Sequence, residues 1–441
     1  MPSASFRLFR RAALAGGVLG LPLLAQSQNP VPAAAPAAPI VLRGATLHLG
    51  DGRTVIEGGA VAFAAGKLTY VGPASGLPAA AGATVVDVSG QHVYPGLILA
   101  NSTLGLTEID AVRATVDERE VGTFNPNVRA LVAYNTDSDI LPTIRTNGVL
   151  TVQVTPRGGT ISGQSSIVQL DAWTWEDAAV RPDDGLHVNW PRYLPRTGLV
   201  PDSIVQKRQK GRDLALHELQ LLFTDAKAYH AAPAGAPLNR RLAALDAVLA
   251  GRQTLFLHAD GTKEIVEAIR WAQELKIGKI VLVGGAEAAQ VREFLAEAKV
   301  PVVLGRIHAL PPRPDDDVDG PFRLPKQLFD AGIPFCFSYE GDMENAGARN
   351  LAFTAGTAVA YGLPAERALH AMTGGAAAIL GLPQQGTLAA GQDATLIVSR
   401  GDLLDMRTNA LTSAYIQGRP LDLRNKQQAL SEKYRQKYGL K

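Results

Sequence analysis

Thr254-Leu255-Phe256-Leu257-His258-Ala259-Asp260 is a short apolar run that ends on polar residues, and a helical pattern follows it over 262–275. The run shows no alternation of polar and apolar residues, so it reads as a strand buried on both faces. Runs of the same kind recur at 279–283, 300–304 and 333–338, and a second helical pattern spans 287–299. Both helical patterns place apolar residues three and four apart, with charges on the opposite face. Strands and helices that alternate this way predict a parallel α/β architecture.

On either side of this middle the pattern turns to β. Short β-rich runs at 40–42, 60–63, 67–71 and 84–88 are separated by Gly, Asp and Pro turn signals. The β-pattern returns at Gly386-Thr387-Leu388, at 394–399 and at Ala414-Tyr415-Ile416-Gln417-Gly418-Arg419. Each piece alone has too few strands to bury an apolar face, so residues 40–94 and 384–422 are expected to form one discontinuous β-sandwich domain around a middle of 95–383. Residues 423–441 read as a charged helical tail.

The 441 residues are 46% hydrophobic and 19% charged, with a formal net charge of +2. Well-mixed charge excludes nucleic acid and anionic membrane surfaces as expected partners and leaves a small-molecule substrate or ligand. The single cysteine, Cys336, rules out an intramolecular disulfide and is expected as a buried thiol in the apolar run 333–337. A basic start ending in Arg10-Arg11 and an apolar stretch over 12–25 read as a signal peptide, residues 1–27, followed by an Ala/Pro-rich flexible linker, residues 28–39. The arginine pair reads as an ordinary positive segment rather than a twin-arginine signal. Export to the periplasm or cell exterior is expected, with no membrane span in the mature chain.

Tyr94-Pro95-Gly96-Leu97-Ile98, arriving after the first β-rich piece, resembles the entry into the first barrel strand of the amidohydrolase superfamily, in its imidazolonepropionase-like and prolidase-like branches. Ala368-Leu369-His370-Ala371-Met372-Thr373, Gly386-Thr387-Leu388 and Gly391-Gln392-Asp393-Ala394-Thr395-Leu396 resemble that family's barrel exit, in the same order. The resemblance implies an α/β fold, a (β/α)₈ TIM-like barrel beside the small composite β-domain. It also implies hydrolysis of carbon–nitrogen bonds, such as cyclic amides or N-acyl dipeptide-like compounds, by a divalent, zinc-like metal at the C-terminal ends of the strands.

The ligand positions that the resemblance assigns are mostly altered. After Leu99 the two first-strand histidine positions hold Asn101 and Thr103, the sixth-strand position falls in Gly284-Gly285, and Tyr339 stands at the eighth-strand aspartate position. Neutral amide and hydroxyl oxygens neither offset a dication nor match imidazole as zinc donors. His258 alone keeps its place, on the fifth strand, as a metal ligand or catalytic base. Glu340 or Asp342 could replace the missing aspartate only if the loop shifts register, because a one-residue slip reverses side-chain direction. Lys227 belongs to a helical pattern, which speaks against a bridging lysine and a binuclear site.

Asn101 and Thr103 read either as substrate-binding groups or as a packed relic of the rim. Arg157-Gly158-Gly159-Thr160 reads either as an anion-binding turn, with Arg157 holding an acidic substrate group, or as a tight structural loop. Trp173 and Trp175 read as pocket wall or as core, and the acidic loop bearing Asp315, Asp316, Asp317 and Asp319 as a gate or a solvated loop. Glu108, Asp110, Glu118 and Glu120 follow the first strand, close enough in sequence to supply acids to a re-sited centre. Two functions stay open: a C–N hydrolase with a reduced or re-sited metal centre, and an inactive relative that binds a ligand, self-associates, or pairs with an active amidohydrolase.

Overall fold

The computed structural model describes residues 31–440 apart from 80, 194–200, 233–236 and 312, so the expected signal peptide lies outside the described residues. Five strands open the chain: β1 (Ile40–His48), β2 (Val55–Ala64), β3 (Lys67–Pro73), β4 (Thr84–Asp87) and β5 (His92–Pro95). The barrel strands follow as β6 (Leu97–Ser102), β7 (Val149–Val154), β8 (Ile161–Gln169), β9 (Ala179–Asn189), β10 (Thr254–Ala259), β11 (Ile280–Gly284), β12 (Val302–Leu304) and β13 (Phe335–Phe337). The last three, β14 (Leu396–Ser399), β15 (Leu411–Ile416) and β16 (Arg419–Pro420), return to the first group.

The terminal strands form one composite sheet, ordered β16-β15-β14-β5-β1-β2-β3 with β4 beside β1. The two pieces meet where β5 pairs antiparallel with β14, Val93 opposite Val398. The sheet then rolls: Lys67 bridges Asp393, and Leu42, Phe63 and Leu68 face Leu396 and Tyr415 across one apolar cluster. The Ala/Pro-rich stretch expected to be flexible is pinned, because the Ala33 amide donates to Asp171 (2.9 Å) and its carbonyl accepts from Arg419 (3.2 Å).

The second sheet runs β13-β12-β11-β10-β9-β8-β7-β6, and a bridge between Ala100 and Ser338 joins its two ends into a barrel. One strand departs from the expected (β/α)₈ pattern. β8 lies antiparallel to both β7 and β9. The cause is local: Gly158 and Gly159 both adopt positive φ (85° and 65°) and turn the chain straight back, leaving no length for a helix. From β9 onward the connections carry helices, among them Thr262–Glu274, Arg292–Ala298 and Gly320–Asp330.

Inside the barrel Ile98, Ile167, Phe256, Val281, Val303 and Cys336 pack against Ala376, Ala377 and Leu380 of the helix Gly374–Leu380, which plugs one end. Burial there pushes the Cys336 thiol up to about 12, so it is an inert filler. Gly185 on β9 faces the Phe256 ring, and a Cβ at that position would come within 2.1 Å of it. Gly185→Ala should therefore overpack the interior and lower stability by about 1–3 kcal/mol. Urea unfolding of the variant tests this, and an unchanged midpoint would contradict the packing described.

Candidate functional site

The open end of the barrel is the C-terminal end of the strands, where a cavity of about 1510 Å³ is lined by Thr103, Arg157, Asp260, Arg306, Glu340 and Glu344, among others. β6 brings its side chains there through a distortion. Asn101 has φ +52°, and the register against β7 shifts between Leu99 and Ser102. Asparagine tolerates that left-handed conformation better than most residues, and the shift turns Asn101 toward the barrel mouth beside Ala100.

A network of ions and amides fills this place. The Arg157 guanidinium donates to the Asn101 side-chain oxygen (2.7 Å), to the Asn101 carbonyl (3.0 Å) and to both Glu344 oxygens (3.1 and 3.2 Å). Glu344 also accepts from the Thr103 amide (2.6 Å) and hydroxyl (2.8 Å), and the Asn101 amide nitrogen donates to Glu340. Burial works against the charge of Arg157, but Glu344 and Glu340 outweigh it and hold the guanidinium above its ordinary pKa. Glu340 is raised, because burial dominates over the attraction of Arg157.

Deeper in the barrel the Asn101 backbone amide donates to Gln153 (3.1 Å), and Gln153 and Ser165 donate to Asp184 (2.7 and 2.8 Å). Burial raises Asp184 to about 6 against those two hydrogen bonds. On the next strands, His187 Nδ1 and His258 Nε2 share a hydrogen bond of 2.8 Å, and His187 stacks on Phe256 at 4.6 Å. Burial, then the charges of Arg157 and Arg192, lowers His258 to about 3. Burial, His258 and Arg157 drive His187 well below the usual histidine range. A histidine this weakly basic is poorly matched to abstracting a proton near neutral pH.

Eighth-strand geometry resolves the register. Cys336 lies in the barrel interior and Ser338 bridges the first barrel strand, and the two-residue period that they set brings Glu340 to the mouth, onto Asn101. Tyr339 instead packs outward, with its ring against Gly347 and under the Arg306 guanidinium. Asp342 lines the cavity, and its carbonyl accepts from Arg306 (2.9 Å). Gly284 and Gly285, both at positive φ, turn the chain after β11. Lys227 lies on the helix Asp202–His230 and donates to the Leu275 carbonyl (3.3 Å).

Several other residues singled out in the sequence also line the mouth: Asp110, Glu118, Asp316 and Asp317 do so, whereas Trp173 is exposed elsewhere and Trp175 packs against the core. Sequence reading missed His187, Asp184 and Glu344. The one signal for His187 was its place in Gly185-Leu186-His187-Val188-Asn189, an apolar run like the one that ends at His258.

These donors do not fit a divalent metal at the position the resemblance assigns. Among the described residues no three His, Cys, Asp or Glu side chains gather to hold one. Asn101 and Thr103 are already engaged by Arg157 and Glu344, and His258 by His187.

No protein-family model matches the chain, and no curated protein matches it. Solved structures do share its fold. An amidohydrolase from Thermotoga maritima MSB8 is similar at 24% identity and a TM-score of 0.76, over 87% of this chain and 100% of that one. A prolidase solved with N-methylphosphonate-L-proline is similar at 18% identity and a TM-score of 0.53, over 87% and 99%. An adenosine deaminase from Xanthomonas campestris with bound zinc is similar at 16% identity and a TM-score of 0.51, over 92% and 98%. The barrel with its composite sheet is thus the fold of amidohydrolases and prolidase-like proteins.

Proposed function

We propose that this chain is an exported protein of amidohydrolase fold whose metal centre is replaced by an arginine-centred ion network, and that its barrel mouth binds a small molecule without metal-dependent hydrolysis. One observation carries the reading: Arg157 donates to Asn101 and Glu344, and Thr103 donates to the same Glu344, so one guanidinium engages, directly or through Glu344, both side chains at the first-strand ligand positions. With Asn101 and Glu344 bonded to the guanidinium and Thr103 bonded to the same carboxylate, no donor at this position is left free for a dication. Support for export is the basic start and apolar stretch at the N-terminus, over residues 1–27.

Glu340 favours a second reading, metal-free hydrolysis of a C–N bond. Its carboxyl lines the cavity, and burial raises its pKa. A panel of N-acyl and cyclic amides, assayed with and without added zinc or manganese, separates the two. The first reading predicts no turnover in either condition. Metal-independent turnover abolished by Glu340→Gln would establish the second, and turnover that appears only with metal would overturn both.

A further inference from the structure

The mouth cavity holds several arginines, and nearly all are spoken for. Arg157 pairs with Glu344, Arg192 with Asp260 (2.8 Å) and Arg119 with Glu118 (2.7 Å), while Arg113 is exposed at the rim and donates to the Val116 carbonyl. Arg306 differs. It stands two residues beyond β12, half-buried, and among the described residues no carboxylate lies within ion-pairing distance of it. Nη1 is held by the Asp342 carbonyl at 2.9 Å, but Nε is buried with no partner. Orphaned buried donors are rare, and a guanidinium without a counter-ion inside a cavity rarer still.

Nearby features keep that guanidinium approachable. The Tyr339 ring lies 5.4 Å from it and steadies its plane. Gly341, at φ +109°, lies beside Nη2, which a Cβ there would meet at an ordinary contact distance of 3.4 Å. The same cavity carries apolar side chains open to solvent: Leu310 is 84% exposed and Met343 67% exposed. Met343 itself has a left-handed backbone, φ +55°.

We propose that Arg306 is the anion anchor of the mouth cavity and takes the carboxylate of a small monoanion whose apolar body lies on Leu310, Leu324 and Met343. The inference rests on the reading of this cavity as a small-molecule site. A carboxylate matches the planar donor edge of a guanidinium. A dianion such as a phosphate ester fits poorly, because Asp260, Glu340 and Asp342 line the same cavity.

Isothermal titration of the full chain with 3-phenylpropionate, 3-phenylpropionamide and phenyl phosphate tests the proposal, using wild type, Arg306→Gln and Arg306→Lys. Wild type should bind the carboxylate roughly ten- to a hundredfold more tightly than the amide, the range for one charge-assisted contact. Phenyl phosphate should bind more weakly than the carboxylate. Arg306→Gln should erase the preference for the carboxylate without weakening the amide, and Arg306→Lys should keep part of it. Equal affinity of wild type for acid and amide would sink the anchor and leave the cavity reading standing. Unchanged carboxylate binding by Arg306→Gln, or no binding of any probe to wild type, would sink the anchor as well. Binding of the neutral amide by wild type tests the cavity reading separately from the anchor, and the wild-type comparison of acid with amide stands even if a variant misfolds.

Discussion

Arg157→Met should lower the free energy of unfolding by about 3–5 kcal/mol, the range for breaking a buried ion pair by removing one partner. The side chains of Arg157 and Glu344 are only 19% and 10% exposed, so solvent screens them little. Without the guanidinium, Glu344 would remain as a buried carboxylate whose hydrogen bonds come only from Thr103 and the Gly341 amide. Glu340 would lose the attraction that partly offsets its burial. The double variant Arg157→Met, Glu344→Gln should recover most of the loss, because the stranded charge is then gone. Urea unfolding of wild type and both variants measures this. A single-variant loss under about 1 kcal/mol would mean the network is a solvated rim rather than the packed centre of the mouth.

Acidification from pH 6.5 to 4.5 should destabilise the protein by a net of about 2–3 kcal/mol, the loss from the buried histidines less what two buried carboxyls return. His258, lowered to about 3, and His187, lowered well below the usual range, stay neutral when folded and take up protons only on unfolding. Groups with depressed folded pKa values contribute stability that is present above the unfolded value near 6.5 and is lost as pH falls toward the folded values. At about 1.4 kcal/mol per unit, two histidines over two units lose at most about 5–6 kcal/mol. Asp184, raised to about 6, acts in the opposite sense. Its contribution is full below its unfolded value near 4 and fades as pH rises through 6, returning about 2 kcal/mol on acidification, and Glu340 adds in the same direction. His187→Gln combined with His258→Gln should reverse the slope over this window. A wild-type stability that is flat or rises on acidification would contradict the buried, neutral pair.

Fold class was legible because periodicity is a local property of the chain. The apolar runs ending at His258, Val283, Leu304 and Ser338 fitted buried strands, and they appear as β10 to β13. The reversed strand β8 was not legible. Its turn signal, Gly158-Gly159, was visible, yet whether that turn leads to a helix or straight back to a strand depends on pairing with β9, a contact remote in sequence. The site followed the same division. Asn101, Thr103, Arg157 and His258 stood in recognisable motifs and all reach the mouth or its floor. Glu344 carried no signal, because its partners Arg157 and Thr103 are 187 and 241 residues away. Glu340 entered only as a re-registered substitute, because an alignment of motifs puts Tyr339 in the family's acidic position, whereas the two-residue period of the strand itself favours its neighbour.

A guanidinium network in the place of the metal should leave the protein metal-free. Plasma mass spectrometry of the full chain, purified without chelator after growth with added zinc and manganese, tests it most directly, with His258→Ala as companion. Substoichiometric metal is expected in both proteins, with the wild type fully folded. One equivalent of zinc, manganese or iron in the wild type, lost in His258→Ala, would contradict it and restore a re-sited metal centre.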